Sequence, residues 1–158
     1  MPVIKLQTRI KSDIDICFDL SRSVELHQIS TSSSREKVVG GVMKGLMGFN
    51  DSVTWEATHF GVRQRLTARI TALEKPFHFR DEMVEGAFKS FSHDHFFVLN
   101  GDQIIMEDVF SFETPFNIFG ELFNSIMLTR YMTRLLSERN AVIKEYAETD
   151  KWKTVLFE

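Results

Sequence analysis

The segment FKSFSHDHFFVLNGDQIIMEDVFSFE, residues 88–113, decides the fold of this chain. It contains two runs in which apolar and polar residues alternate, Phe88–Leu99 and Gln103–Glu113, and the turn sequence NGD separates them. Alternation with a period of two is typical of strands that bury one face, and Asn-Gly is a strong signal of a tight hairpin. The segment therefore predicts two neighbouring antiparallel strands.

Similar runs extend the predicted sheet toward the N-terminus. Two of them meet at Phe60-Gly61, where we expect a second tight hairpin. Because the runs follow one another with only short turns between them, consecutive strands are expected to pair antiparallel. The additional predicted strands are Val3–Arg9, Arg35–Val39, Ser52–Gly61, Val62–Leu73 and Phe77–Val84.

Helices are predicted on both sides of this sheet sequence. The apolar spacing within Asp13–Ser30 predicts two short helices, the first capped by Ser12 or Asp13 and the second starting at Ser21 or Ser23. After Pro115, a long helix is predicted from Asn117 to about Ala147.

The long helix carries two apolar stripes on nearly opposite sides. Such a change of side predicts a bend near residues 124–129, or a first part covered by something other than the sheet. The first stripe comprises Ile118, Phe119, Leu122 and Ile126, and the second comprises Leu128, Met132, Leu135, Val142 and Ile143.

Length and composition limit the class of protein. The 158 residues fit one domain, 1–158, and 43% hydrophobic with 26% charged residues is ordinary for a globular chain. A net charge of −3 argues against nucleic acid as a partner. No apolar run is long enough for an integral membrane segment, and the first ten residues lack the apolar run of a secretion signal. The single cysteine, Cys17, fits a reducing compartment, so a cytoplasmic location is expected, and no oligomeric state is assigned.

Phenylalanine is over-represented among the aromatic residues. The chain has 15 Phe but only 2 Tyr and 2 Trp. Phenylalanine supplies a large apolar surface with no polar group. The excess is explained either by a well-filled core or by an apolar cavity.

Six polar residues lie at strand positions that the alternation assigns to the core face. Buried ionisable groups are costly unless they are paired or hydrated, so six on neighbouring strands indicate a shared polar interior. This interior is interpreted as self-satisfied His–Asp pairs in a core, as a polar patch in a ligand cavity, or as a catalytic or metal site. The six residues are His59, Gln64, Asp81, His93, His95 and Asp108.

The sequence His93-Asp94-His95 places two imidazoles on one face of a strand. They could bind one metal ion, with His59 or Asp108 completing the ligand set. The spacing of the cupin metal motif, however, is not met by the flanking Gly86, and its Glu position holds Leu99 or Asn100. We therefore assign no metal and no cofactor.

Three other features of the sequence have a structural interpretation, and two of them also have a functional one. The Gly- and Met-rich segment 40–49 is either a loop folded onto the core or a mobile flap over a pocket, with membrane contact a weaker option. Arg63, Arg65 and Arg69 share the opposite face of their strand, as a solvated surface or a docking patch. Cys17, among helical apolar residues, is interpreted as an inert core thiol.

The order of elements and several local sequences resemble the START / polyketide-cyclase-like (SRPBCC) superfamily over essentially the whole chain. The resemblance implies an α+β helix-grip fold, in which a curved antiparallel sheet wraps a long C-terminal helix around a largely apolar cavity. It implies no catalytic motif, because members include binders, cyclases and chaperone activators. The segments that carry the resemblance are Phe18–Ser23, Asp51–Ala57, Phe79–Met83, His93–Phe97 and Met106–Phe110.

Three functions follow as hypotheses. The first is binding of a small lipophilic or aromatic molecule, lipid-like, quinone-like or polyketide-like, in the cavity. The second is a cyclase, dehydratase or hydrolase in which a His–Asp pair acts as general base, with His59, Asp81, His93, His95 and Asp108 as candidates. The third is an adaptor that uses the outer sheet face. The predicted ligand-binding residues are Trp55, His59, Gln64, Phe79, Asp81, Phe91, His93, His95, Asp108, Phe110, Leu122 and Ile126.

Overall fold

The structure, a computed structural model, describes residues 1–114 and 121–157, with the side chains of 1–114 and 125–157. The described elements follow the order that the sequence predicts. In chain order they are β1 (Val3–Ile10), α1 (Ile14–Ser21), α2 (Val24–Ser30), β2 (Lys37–Gly41), β3 (Ser52–His59), β4 (Val62–Glu74), β5 (His78–Glu85), β6 (Ser90–Asn100), β7 (Gln103–Glu113), α3 (Glu121–Glu148) and α4 (Trp152–Leu156).

The strands form one curved antiparallel sheet in the order β1-β7-β6-β5-β4-β3-β2. From β2 to β7 each strand pairs with its neighbour in sequence, which confirms the predicted meander. The exception is β1, which pairs with β7 in a register that joins Val3 to Ser111. The helix-grip prediction is thereby confirmed: α1 and α2 follow β1, and α3 contacts β1, α1 and α2.

The two predicted hairpins are present, and one has a different turn. Between β3 and β4, Phe60 and Gly61 have φ values of 53° and 75°, as a two-residue turn of the primed type requires. Between β6 and β7, Asn100 pairs with Gln103, so the turn residues are Gly101 and Asp102. Of these only Gly101 has a positive φ, 64°, and Asn100 belongs to the strand.

The helix caps agree with one of each pair of predicted residues. The Asp13 carboxylate accepts hydrogen bonds from the backbone N–H groups of Asp15 and Ile16 at the start of α1. The Ser23 hydroxyl accepts one from Leu26 at the start of α2. The predicted cap of the long helix, Asn117, lies outside the described residues, and α4 was not predicted.

The long helix α3 packs one stripe of residues along the sheet. Leu128, Met132 and Leu136 contact an apolar cluster around Phe110, and Ile143 belongs to a second cluster around Phe18. Ile126, two residues before Leu128, is rotated about 200° away from it and is 47% exposed. Ile126, a predicted ligand-binding residue, therefore points away from the cluster around Phe110, while the side chains of Phe119 and Leu122 lie outside the described residues. None of the helices in the described ranges has the length and apolar character needed to cross a bilayer.

The Gly- and Met-rich segment 40–49 is bonded to the beginning of α2. The carbonyl of Gly45 accepts a hydrogen bond from Val24 N, and Met47 N donates to the carbonyl of Arg22. Met47 is buried, while Phe49 is exposed. These contacts favour the interpretation of a loop folded onto the core, and its residues do not border the cavities described below.

Candidate functional site

An inner cavity of about 140 Å³ lies between the sheet and α3. Its apolar wall comes from four strands, from the β5–β6 connection and from the helix, and its polar residues are grouped in two places. The apolar residues are Trp55, Leu66, Ala68, Phe88, Phe91, Phe110, Met132, Leu135 and Leu136. The polar residues are Asp81 and His93 in one group, and His27, Thr31, Glu36 and His59 in the other.

An outer cavity of about 220 Å³ adjoins it and shares His59, Phe88 and Met132 with the inner one. Its remaining lining residues are Phe60, Gln64, Ala87, Leu128 and Tyr131. A crevice of about 40 Å³, bordered by Gln64 and Arg65 among others, lies next to both. The shared residues show that the two cavities are direct neighbours.

The first polar group is centred on Asp108 of β7, which is completely buried. His93 on β6 donates from Nε2 to Asp108 Oδ1 over 2.8 Å. From α3, Asn140 Nδ2 donates to Asp108 Oδ2 over 2.6 Å, and Arg139 Nη1 lies 3.5 Å from Asp108 Oδ1. A buried carboxylate is tolerated because charge and hydrogen bonds compensate the loss of water.

Asp81 on β5 closes a ring with the same two histidines. His95 donates from Nε2 to Asp81 Oδ1 over 2.8 Å, and its other nitrogen, Nδ1, lies 3.3 Å from Asp108 Oδ1 without hydrogen-bond geometry. His93 Nδ1 lies 4.0 Å from Asp81 Oδ1, too far for a direct bond. The two imidazole rings are 3.8 Å apart and each lies between the two carboxylates. Asp81 and His93 face the cavity, and His95 and Asp108 lie behind them.

The pKa values of this group follow from burial and from the mutual bonds. Burial alone would raise the pKa of Asp108, but the hydrogen bond from His93, the nearby His95 and the charge of Arg139 outweigh it and hold that pKa well below its usual range. Asp81 has a lowered pKa for the same reason, with burial opposed by the hydrogen bond from His95. Burial lowers the pKa of His93, helped by the neighbouring charge of His95. His93 is thus a neutral imidazole, oriented by a carboxylate, at the cavity wall.

The second polar group joins the region before β2 to β3 and α3. The Tyr131 hydroxyl and His59 Nδ1 are hydrogen-bonded over 2.6 Å. Glu36 Oε1 lies 3.4 Å from His27 Nε2, and the His27 ring stacks on Trp55 with centroids 4.1 Å apart. These residues connect the apolar wall of the inner cavity to the outer one.

Burial has opposite consequences for the members of the second group. It lowers the pKa of His59 and raises the pKa of Tyr131. For Glu36, burial would raise the pKa, but the charge of His27, 3.4 Å away, outweighs it and lowers the pKa. At neutral pH the group therefore has an ionised Glu36, a neutral His59 and a protonated Tyr131.

The structure brings six predicted site residues to the wall of the inner cavity and a seventh to the outer one. The inner six are Trp55, His59, Asp81, Phe91, His93 and Phe110, and the seventh is Gln64. His95 and Asp108 form hydrogen bonds with these residues from behind the wall.

Two predicted residues, Phe79 and Ile126, are placed away from the cavities, and a third, Leu122, has no described side chain. Phe79 packs against Phe18 and stacks on His95, in the apolar cluster away from the cavity. Ile126 is about half exposed and borders none of the described cavities. The side chain of Leu122 lies outside the described residues.

The sequence analysis did not predict most of the site residues that lie outside the strands. On α3, Arg139 and Asn140 belong to the polar run Ser137–Asn140, and only their spacing from Leu136 and Ile143 could have placed them on the buried face. His27 and Glu36 had no signal beyond their proximity to the predicted strand start. Tyr131, one of two tyrosines, could have been noticed by its rarity.

A metal ion could be held by Asp81, His93 and His95, whose ligand atoms lie within 4.8 Å of one another. His59, which the sequence pattern offered as an additional ligand, belongs to the other polar group. Arg139 contacts Asp108 directly behind this set, and its positive charge opposes a second cation there.

Two arginines of the outer sheet face, Arg63 and Arg65, share the carboxylate of Glu56 with Lys37. Arg65 Nε donates to Glu56 Oε2 over 3.1 Å, and Arg63 Nε lies 3.8 Å from Glu56 Oε1. Both lie beside Lys37, which is 3.7 Å from the same carboxylate. This pairing favours a solvated surface over a docking patch.

Neither a protein-family model nor a curated protein matches the sequence. Solved structures do match. A protein from Thermus thermophilus superposes with a TM-score of 0.70 at 16% identity, covering 90% of this chain and 97% of its own. The major latex-like protein 151 of Panax ginseng gives 0.66 at 17% identity, with coverages of 94% and 98%. A START superfamily protein from Mycobacterium smegmatis gives 0.68 at 8% identity, with coverages of 92% and 97%.

These likenesses extend over nearly the full length of each matched chain, and they agree with the strand order and the helix placement described above. Identities this low establish the fold and leave the activity open. The chain therefore has the START-like helix-grip fold of these structures.

Proposed function

We propose that this protein binds a small lipophilic molecule in the inner and outer cavities. The observation that carries the proposal is the composition of the inner wall, where nine apolar side chains surround two separate groups of polar side chains. Binding sites for small molecules are mostly apolar, with a few polar groups that fix orientation. An aromatic or alicyclic body would contact Trp55, Phe91 and Phe110, and its polar substituents would meet Asp81 and His93 or Glu36 and His59.

The size of the two cavities limits the ligand. The inner cavity, about 140 Å³, accommodates a small ring system, and the outer one, about 220 Å³, accommodates an additional substituent. The fold supports this use, because a sheet that grips a helix leaves space between the two layers. The lipid-like, quinone-like and polyketide-like classes all remain within the proposal.

A fluorescent probe and cavity-filling variants test the proposal. We expect N-phenyl-1-naphthylamine, an uncharged probe, to bind with one-to-one stoichiometry and enhanced emission. Ala68→Leu narrows the inner cavity and is expected to weaken binding at least tenfold, whereas Ala141→Leu on the exposed side of α3 leaves it unchanged. A folded Ala68→Leu protein that binds as tightly as the parent would place the probe elsewhere. Leu135→Phe, which enters the cavity from α3, provides a second variant if Ala68→Leu fails to fold.

A second candidate function is general-base catalysis by His93 in the same cavity. The observation that favours it is the 2.8 Å hydrogen bond from His93 Nε2 to Asp108, which leaves Nδ1 as the basic nitrogen of a neutral imidazole. A cyclase, dehydratase or hydrolase of this kind would show turnover with a pH profile that shifts in Asp108→Asn. Stoichiometric capture of a ligand without any product over many hours would favour binding alone.

A cytoplasmic location and a single domain spanning 1–158 belong to the same proposal. They are tested by fractionation of the cells that express the protein and by limited proteolysis of the purified chain.

A further inference from the structure

The carboxylate side chains that line the inner cavity, among the described residues, are Glu36 and Asp81. They belong to the two different polar groups. The outer cavity adds no charged residue to them. A ligand in these cavities is therefore exposed to two carboxylates.

Asp81 presents part of its carboxylate to the cavity. Its Oδ1 accepts the hydrogen bond from His95, whereas Oδ2 receives no hydrogen bond from the described residues. The side chain keeps 22% of its surface accessible, although it belongs to an otherwise buried group. Its lowered pKa keeps it ionised at neutral pH. Asp81 Oδ2 is thus an available acceptor that bears negative charge.

Glu36 offers a similar acceptor in the other polar group. Its side chain is 11% exposed, and His27 Nε2 approaches Oε1 to 3.4 Å without forming a hydrogen bond of good geometry. Its lowered pKa likewise keeps it ionised. Both groups therefore contain an acceptor that a hydrogen-bond donor on the ligand would satisfy.

Among the described residues no Lys or Arg is placed to receive an anionic ligand, and the imidazole of His27 is already paired with Glu36 over 3.4 Å. Neither the inner nor the outer cavity has a Lys or Arg among its described lining residues, and residues 115–124 contain neither type. Arg139 is occupied by Asp108, Asn140 and the carbonyl of Ser21. Arg65, beside the small crevice, is bonded to Glu56 and is 69% exposed. Burial lowers the pKa of both His59 and His93, which keeps these imidazoles neutral.

We propose that the ligand of this site is an apolar ring system bearing hydroxyl or amino groups, neutral or cationic, and that molecules bearing a carboxylate, sulfate or phosphate are excluded. This inference rests on the proposed binding function and specifies its ligand class. The donors of the ligand satisfy Asp81 Oδ2 and Glu36. An acidic group of a ligand in these cavities would lose its water beside the carboxylates of Asp81 and Glu36. No Lys or Arg among the described lining residues would compensate its charge.

The test is a series of naphthalenes that differ only in their polar substituent: 2-naphthol, 2-naphthylmethylamine and 2-naphthoic acid. Affinities are measured by calorimetry at pH 7.5. Energy transfer from Trp55 in a Trp152→Phe protein locates each ligand at the cavity. We expect the alcohol and the amine to bind at least tenfold more tightly than the acid.

Two variants test whether the carboxylates cause the preference for the amine over the acid. In Asp81→Asn and Glu36→Gln the preference for the amine over the acid is expected to fall about tenfold. Matched controls on the exposed surface, Asp102→Asn and Glu145→Gln, leave that preference unchanged. Circular dichroism verifies the fold of every variant. Should Asp81→Asn not fold, Glu36→Gln alone carries this part of the test.

The outcomes separate the two proposals. Tight binding of 2-naphthoic acid that Ala68→Leu abolishes would overturn the ligand class while leaving the binding function intact. Absence of binding by all three naphthalenes and by N-phenyl-1-naphthylamine would overturn both. An amine preference that survives both carboxylate variants would also overturn the assignment to Asp81 and Glu36.

Discussion

Asn140 of α3 donates a hydrogen bond from Nδ2 to Oδ2 of Asp108 on β7 over 2.6 Å, and both residues are buried. The bond connects the long helix directly to the sheet, next to His93 and His95. Because Arg139 approaches the other oxygen of Asp108, this one carboxylate positions the helix as well as His93.

Asp108→Asn is expected to destabilise the protein by about 3–5 kcal/mol, since it leaves Arg139 buried without a compensating charge. The added amide group would also face the donors of His93 or Asn140. Urea unfolding followed by far-UV circular dichroism measures the change. Asp102→Asn, whose side chain is 75% exposed, should alter the stability by no more than about 0.5 kcal/mol. Equal effects of the two changes would contradict the role given to Asp108.

Asp94→Asn tests a separate cluster on the outer sheet face. Asp94 accepts hydrogen bonds from Arg80 Nε and Nη2 and from His78 Nε2, at 2.7–2.8 Å. These bonds outweigh burial and lower the pKa of Asp94, so its stabilisation is present above the unfolded pKa of about 3.9 and is lost as the pH falls through the folded value. We expect a loss of about 1–3 kcal/mol at pH 7 that shrinks below pH 4, with ligand binding unchanged.

Stability is expected to fall as the pH drops below about 6.5, the usual pKa of histidine in an unfolded chain. Burial lowers the folded pKa of His59 and of His93, so the unfolded state takes up these protons first. The free energy of unfolding, measured from pH 8 to pH 5, should decrease through this window. The decrease should be shallower in His59→Gln. An increase in stability over the same window would contradict the assignment of neutral histidines.

Gly41→Ala and Gly45→Ala separate backbone conformation from close contact. Both glycines have a positive φ, 71° and 86°, which costs an alanine about 1–2 kcal/mol. A Cβ on Gly41 would also lie 2.2 Å from the carbonyl oxygen of Ser52, whereas one on Gly45 meets nothing within 4 Å. Thermal unfolding should therefore show a distinctly larger loss for Gly41→Ala. Similar losses would mean that the β2–β3 connection adapts without cost.

The Cys17 thiol is expected to be unreactive in the native protein. It is completely buried on α1, and burial raises its pKa to about 12. Reaction with a disulfide reagent at pH 8 should be negligible without denaturant and should become stoichiometric in concentrated urea. Rapid labelling of the folded chain would show that α1 opens readily.

The sequence alone predicts the sheet well because each strand carries its own alternation of apolar and polar residues. The same alternation placed His93, His95 and Asp108 on the inner face, where the structure has them. The alternation shows which face of the sheet a side chain is on, but it does not show which of the two apolar clusters that side chain joins. Phe79 is therefore correctly inward but lies in the cluster around Phe18, away from the cavity.

The contribution of α3 was harder to predict because its charged residues obscure the buried face. Arg139 and Asn140 read as surface residues until Asp108 is known to lie opposite them. The burial of Glu36 was equally hard to predict, because the sequence around it does not indicate that His27 and Trp55 lie next to it. Contacts between elements far apart in sequence leave no periodic signal.

The pairing of β1 with β7 determines when the sheet can be completed during synthesis. Val3 is made first, yet its partner Ser111 is added more than a hundred residues later. Strands β2 to β7 can pair with their neighbours as they leave the ribosome, but β1 has no partner until the last hairpin is made. Such long-range closure is slow, so the nascent chain carries an unpaired strand, open to contact with chaperones or other nascent chains, until β7 has been made.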